Sequence, residues 1–175
     1  MTRDEWLLTF PKNLIWAELG VFLGDFSKLI YRSCNPSHLH LVDTFPSEMW
    51  SGDKDGNNIQ KRNLSDVPSQ LESHFSGNQV TVHKISTVNF LRSSSDRNLD
   101  VVYIDADHSY EAVRLDLEES LKRVKIGGII SGHDYSSTQF PGVFRAVNEF
   151  CKENNLVIRL LTSDNLPTYM IEIKE

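Results

Sequence analysis

The stretch from Asp100 to Tyr135, DVVYIDADHSYEAVRLDLEESLKRVKIGGIISGHDY, constrains the fold more than any other part of the chain. Val101, Val102, Tyr103 and Ile104 form a short β-branched and aromatic run of the kind a buried parallel strand requires. Asp105, Asp107 and His108 follow where that strand ends. From Ser109 the period changes: Val113, Leu117, Leu121 and Val124 fall on one helical face, while Glu111, Asp116, Glu118 and Glu119 are expected to point away from it. Ser109 is placed to cap the helix start. Lys122, Arg123 and Lys125 suit the negative end of its dipole, and Gly127 and Gly128 are expected to end it in the left-handed conformation. Gly128 to Ser131 reads as a second strand, followed by His133 and Asp134. A βαβ crossover is right-handed in nearly all proteins, so the two strands lie parallel and side by side. Their carboxyl ends open on one sheet edge, where ligands bind in open α/β sheets.

The first half of the chain repeats this logic. Leu14 to Glu18 is an apolar run ending in an acid; Gly20 and Gly24 follow, then a helix carrying Phe26, Leu29 and Ile30. Gly20 permits a tight turn and Gly24 the close approach of a ligand or a helix, although turn glycines alone have an equally plain structural reading. His38 to Asp43 is the next strand. His38 and His40 alternate with Leu39 and Leu41, so they read as strand residues. An acid ending the second strand, about 20 residues past a glycine turn, is placed to accept hydrogen bonds from ribose hydroxyls. That assigns Asp43 to a nucleoside. Ser86 and Thr87 end the third strand, Gln79 to Ile85. Residues 44–63 read as a long, irregular polar lid, with Trp50 as a stacking contact. The Asp53–Gly56 piece fails as a calcium loop because Arg62 stands where the closing glutamate belongs.

Composition fits one domain, 14–175, behind an arm, 1–13, in which Thr2 or Asp4 caps a short helix and Trp6, Leu7 and Phe10 dock inward. A net charge of −6 argues against a nucleic-acid or acidic-membrane binder. No run approaches the roughly 20 apolar residues of a membrane helix. Cys34 and Cys151 read as buried free thiols of a reducing, cytoplasmic compartment. After Pro141 come a helix, the strand Leu156 to Leu161, and the strand Tyr169 to Ile173, the last two as an antiparallel hairpin at one sheet edge.

With WAELGVFLGDFS, HLVDT and the Asp100–Tyr135 stretch in order, residues 14–173 resemble the class I S-adenosylmethionine-dependent methyltransferases. The similarity is greatest to small-molecule O-methyltransferases of the catechol, caffeoyl-coenzyme A and antibiotic-sugar types. The resemblance implies a Rossmann-like, doubly wound, mostly parallel seven-stranded α/β sheet with an antiparallel C-terminal hairpin. It implies that Glu18, Gly20 and Gly24 form the first cofactor loop, that Asp43 holds the ribose, that Ser86 lies near the adenine, and that Asp105 meets cofactor or metal. Asp105, His133 and Asp134 match the ligands of Mg²⁺ or Mn²⁺ in metal-dependent relatives. His133 replaces an oxygen ligand, which would shift preference toward Mn²⁺, Fe²⁺ or Zn²⁺. Asp107 matches a cofactor contact or base, and His108 the position of a catalytic lysine. The acceptor would be a small molecule, with a sugar or glycosylated metabolite suggested by the DADHSYE segment. Its cover would come from the arm, the 44–63 or 135–140 loops, or a second subunit of a homodimer.

The residue types suit that chemistry. Methyl transfer from a sulfonium to an oxygen needs alignment and a more nucleophilic hydroxyl. A divalent ion lowers the hydroxyl pKa, and an imidazole such as His108 can take the proton. Two alternatives remain open: a nicotinamide-dependent oxidoreductase, whose fingerprint G-x-G-x-x-G differs from the G-x-x-x-G here, and a non-catalytic nucleoside-binding or assembly protein.

Overall fold

The run Val101–Ile104 lies at the middle of a seven-stranded sheet. In chain order the strands are β1 (Ile15–Leu19), β2 (His38–Asp43), β3 (Met49–Ser51), β4 (Gln60–Arg62), β5 (Val80–Lys84), β6 (Leu99–Ile104), β7 (Val124–Gly132), β8 (Ile158–Leu161) and β9 (Tyr169–Glu172). The computed structural model describes residues 1–51, 59–75, 77 and 79–174, without the side chains of Trp50 and Ser51. The expectations for the Trp50 ring and for Asp53–Gly56 lie outside the described residues.

The sheet order is β5-β2-β1-β6-β7-β9-β8. The first five strands are parallel, and β9 pairs antiparallel with both β7 and β8. This is the expected doubly wound sheet. Its terminal hairpin has a specific placement: the last strand enters between β7 and β8, and β8 takes the edge. Alternation along β6 serves both faces. Val102 and Ile104 join the core under α4 (Thr87–Arg92), α5 (Tyr110–Arg123) and α6 (Pro141–Glu153). Val101 and Tyr103 join the core under α1 (Arg3–Leu7), α2 (Asp25–Cys34) and α3 (Val67–His74). Cys34 and Cys151 are free and buried, one in each core. Among the described residues no helix is long and apolar enough to cross a membrane.

The N-terminal arm docks as its pattern predicts. Thr2 and Glu5 form a reciprocal capping box on α1. Trp6, Leu7 and Phe10 are buried, with Phe10 edge-on to both Trp6 and Trp16 at centroid distances of 4.8 and 4.7 Å.

Several local expectations are corrected. Residues 44–63 are not irregular throughout, because β3 and β4 pair as an antiparallel two-stranded ribbon. Helix α5 does not run to Gly127; it ends at Arg123, and Val124 is already extended. Gly127, with φ of 81°, lies within β7. A Cβ on Gly128 would stand 2.8 Å from the Asp100 carbonyl oxygen, so that glycine serves strand contact and not a helix cap. Asp116 and Glu119 do not point away from the core but are buried. Asp116 accepts from Thr87 Oγ1 at 2.6 Å, and Glu119 accepts from Arg92 and Lys122. Arg123 is buried too. It donates to the carbonyls of Phe90 and Leu91 at the end of α4, to Asp96 O and to Asn98 Oδ1. A helix leaves its last carbonyls unpaired, and a buried guanidinium with five donors satisfies them.

Candidate active site

The carboxyl ends of β1, β2, β5 and β6 surround a cavity of about 810 Å³. Glu18, Gly20, Asp43, Ser86, Asp105, Asp107 and His108, all singled out from sequence, line it. Gly24 does not. It opens α2 with φ of 77°, and a Cβ there would meet Leu71 Cδ2 at 2.4 Å, so its lack of a side chain serves the packing of α2 against α3. His133 and Asp134 do not line the cavity either, but stand behind its Asp105–His108 wall.

Gly20 is the pivot of the first loop. Its φ is 91°, and a Cβ would lie 2.0 Å from the Asp105 carbonyl oxygen. Only glycine lets the end of β6 close on the loop after β1. Glu18 is buried beneath that loop and accepts from Ser27 Oγ at 2.5 Å. Burial pushes its carboxyl up to about 8, against the opposing bond from Ser27. Asp43 accepts from the backbone N–H groups of Val21, Phe22 and Phe45 at 2.9, 3.0 and 2.8 Å. It therefore shapes the loop, with one of a carboxylate's roughly four lone-pair sites left for a ligand. Ser86 caps α4 by accepting from Asn89 N. Beside it, Thr87 is held by the buried Asp116, a link unseen in the sequence because the two residues sit on different elements.

At the other end two carboxylates and two imidazoles form a square. His108 Nε2 lies 2.8 Å from Asp134 Oδ2 and 3.7 Å from Asp105 Oδ1. His133 Nδ1 lies 3.0 Å from Asp134 Oδ1 and 3.8 Å from Asp105 Oδ2. Asp134 reaches both rings from a left-handed backbone, φ 59°. The neighbouring carboxylates of Asp105 and Asp134 favour the His108 imidazole's conjugate acid, raising it to about 10. Burial alone would raise the Asp134 carboxyl, but its bonds to His108 and His133 hold it well below the usual range. In this arrangement the His108 imidazole is paired with Asp134. Asp107 is engaged as well: it accepts from Ser109 N at 2.7 Å, a bond that opens α5 and lowers the carboxyl. Ligand atoms of Asp105, His108 and Asp134 lie within 4.8 Å of one another, so these side chains fit a divalent cation. His108 takes part in that trio, whereas sequence matching named His133.

Residues 17–135 match the methyltransferase domain family. The chain belongs to that family. This methyltransferase is of class I and S-adenosylmethionine-dependent, which replaces the nicotinamide and non-catalytic alternatives. No curated protein sequence matches it. Among solved structures it is similar to the O-methyltransferase NovP, with TM-score 0.69 and 19% identity over 99% of this chain and 80% of that one. It is similar to the N-methyltransferase NodS from Bradyrhizobium japonicum WM9 in complex with S-adenosyl-L-homocysteine, with TM-score 0.66 and 12% identity over 99% and 86%. It is also similar to a putative rRNA methylase from Clostridium thermocellum, with TM-score 0.68 and 13% identity over 98% and 93%. At these identities the likeness is one of fold.

Proposed function

We propose that this methyltransferase moves the methyl group of S-adenosylmethionine to a hydroxyl of a small molecule, with a sugar or glycosylated metabolite as the acceptor class and with help from a divalent cation. The observation that carries the reading is the square of Asp105, His108, His133 and Asp134 at one end of the cofactor cavity. Two carboxylates and two imidazoles are a donor set suited to Mn²⁺, Fe²⁺ or Zn²⁺ as well as Mg²⁺. A divalent cation there supplies positive charge that lowers the pKa of an adjoining hydroxyl.

The chain's own groups do the rest. Glu18 and the Gly20 turn receive the methionine part of the cofactor, Asp43 its ribose, and Ser86 its adenine end. Asp105, Asp134 and His133 would hold the cation, which leaves His108 outside the set. His108, once released from Asp134, takes the acceptor proton at Nε2, and Asp107 keeps the start of α5 in place beneath it. The similarity to NovP, an O-methyltransferase, supports the choice of oxygen, and the net charge of −6 supports a small acceptor over a polyphosphate backbone.

The test is methyl transfer to a panel of hydroxyl, amine and RNA acceptors, with Mn²⁺ or Mg²⁺ and then with chelator. Transfer to a hydroxyl, abolished by chelator, restored by metal and reduced about 100-fold or more in Asp105→Ala, is expected. Chelator-resistant activity that also survives Asp105→Ala and Asp134→Ala removes the cation. Transfer only to amines or RNA removes the hydroxyl.

A further inference from the structure

The cofactor cavity has a polarity that the residues assigned to it leave unexplained. Its lining carries the carboxylates of Asp25, Asp43, Asp105 and Asp107, beside the buried Glu18. Such a wall attracts the sulfonium and ammonium groups of S-adenosylmethionine and repels its carboxylate. Among the described lining residues, one side chain is permanently cationic: Arg3, from the N-terminal arm. Its guanidinium lies over the Phe26 ring, 4.4 Å from the centroid, and Nη1 is 3.4 Å from the Tyr103 hydroxyl. Phe26 follows the glycine loop and Tyr103 precedes Asp105 by two positions, so Arg3 stands at the Glu18–Asp105 end of the cavity, away from Ser86.

The backbone holds it there. The Arg3 N–H donates to Asp164 Oδ2 at 2.7 Å, and Ser163 N donates to the Met1 carbonyl at 2.9 Å. The arm is thus tied to the β8–β9 turn, and the capping box of Thr2 and Glu5 fixes the turn that carries Arg3.

We infer that Arg3 receives the α-carboxylate of the cofactor's methionine moiety, making the N-terminal arm one wall of the cofactor site. The inference rests on the reading of this cavity as the S-adenosylmethionine site. A guanidinium offers paired, planar donors that match a carboxylate, and the Phe26 ring supports it from one side. Neither the glycine loop nor the ribose acid could supply this charge.

The test compares S-adenosylhomocysteine, its decarboxylated analogue and 5′-methylthioadenosine by calorimetry. Wild type should bind S-adenosylhomocysteine roughly 10- to 100-fold more tightly than the decarboxylated analogue. Arg3→Gln should remove most of that preference while changing the affinity for methylthioadenosine less than about twofold. Arg3→Lys should restore part of it, since lysine keeps the charge without the paired donors. Thr2→Ala, which loosens the cap and keeps the guanidinium, separates arm stability from charge. Equal loss for all three ligands in Arg3→Gln, or no loss, overturns the inference. If Arg3→Gln does not fold, a wild-type protein indifferent to the carboxylate overturns it as well. Wild type that binds none of the three ligands overturns the cavity reading itself.

Discussion

His108 Nε2 and Asp134 Oδ2 lie 2.8 Å apart, joining the turn before α5 to the loop after β7. Each group alters the other's titration, and the sign of each effect can be worked out. His108, raised to about 10, adds stability that is complete below the unfolded histidine pKa of roughly 6.5 and is lost as pH rises toward 10. Asp134, depressed, adds stability that is present above roughly 4 and is lost in acid. In metal-free protein the pair therefore stabilises most between about pH 4 and 6.5. Asp134→Asn should cost about 1–2 kcal/mol in that window, allowing for the exposure of His108, and bring the His108 imidazole midpoint down from about 10, though not to the free value because Asp105 remains beside it. Denaturation at several pH values and imidazole NMR check both parts. An unchanged midpoint would remove the pairing.

Glu18→Gln should trade function for stability. The native carboxyl keeps its proton to about 8, whereas the unfolded chain releases it near 4.3. Over that window the unfolded state binds fewer protons, so stability falls as pH rises. The amide removes the slope and should stabilise the ligand-free protein by on the order of 2–3 kcal/mol at pH 8. It should also weaken S-adenosylmethionine about tenfold, because the cofactor's cations lose an ionisable partner. Proton release on cofactor binding, read as a buffer-dependent enthalpy, should be present in wild type and absent in the variant.

Gly20→Ala and Gly127→Ala separate two demands on glycine. Both positions have positive φ, 91° and 81°. Around Gly127 nothing lies within 4 Å of an added Cβ, so conformational strain of about 1–2 kcal/mol is the whole expected effect. At Gly20 the same strain is joined by a backbone overlap with Asp105, and a loss above about 3 kcal/mol with abolished S-adenosylhomocysteine binding is expected. Equal destabilisation of the two variants would contradict the close approach of β6 to the glycine loop.

His40 and His83 form a neutral pair on the sheet, Nδ1 to Nε2 at 3.0 Å. Burial is the main reason His40 is pulled down to about 4, with His38 and His83 repelling its charged form. Its contribution is complete above roughly 6.5 and lost as pH falls toward 4. His40→Phe should flatten the acid limb of the stability curve while lowering neutral stability by about 1 kcal/mol for the lost bond. An acid limb identical to wild type would show that another group controls it.

Much of the fold could be read from the chain because the relevant signals are local. The continuous β-branched and aromatic run Val101–Ile104 marked a buried strand, helical spacing placed Val113 and Leu117 inward, and Ser109 marked the helix start. Polar residues were harder. Asp116, Glu119 and Arg123 look solvent-facing by residue type, yet each is buried because a partner from α4 or its flanks meets it. Gly24 could be read as a glycine for a ligand or for a helix, and its contact is with Leu71 of α3, a partner far along the chain that spacing does not reveal.

The same division runs through the site. Residue order by itself determined that Glu18, Gly20, Asp43, Asp105 and Asp107 gather at strand ends, since right-handed parallel crossovers leave every such end on one edge. Only the tertiary structure decided how the charges pair. It set both His108 and His133 on Asp134, bound up Asp43 with backbone amides, and brought Arg3 from the arm across to the Glu18–Asp105 end of the cavity. Periodicity reports which face of an element is apolar. The partner of a charged side chain depends on what another element carries to within about 3 Å of it, and the spacing along one strand or helix holds no record of that distance.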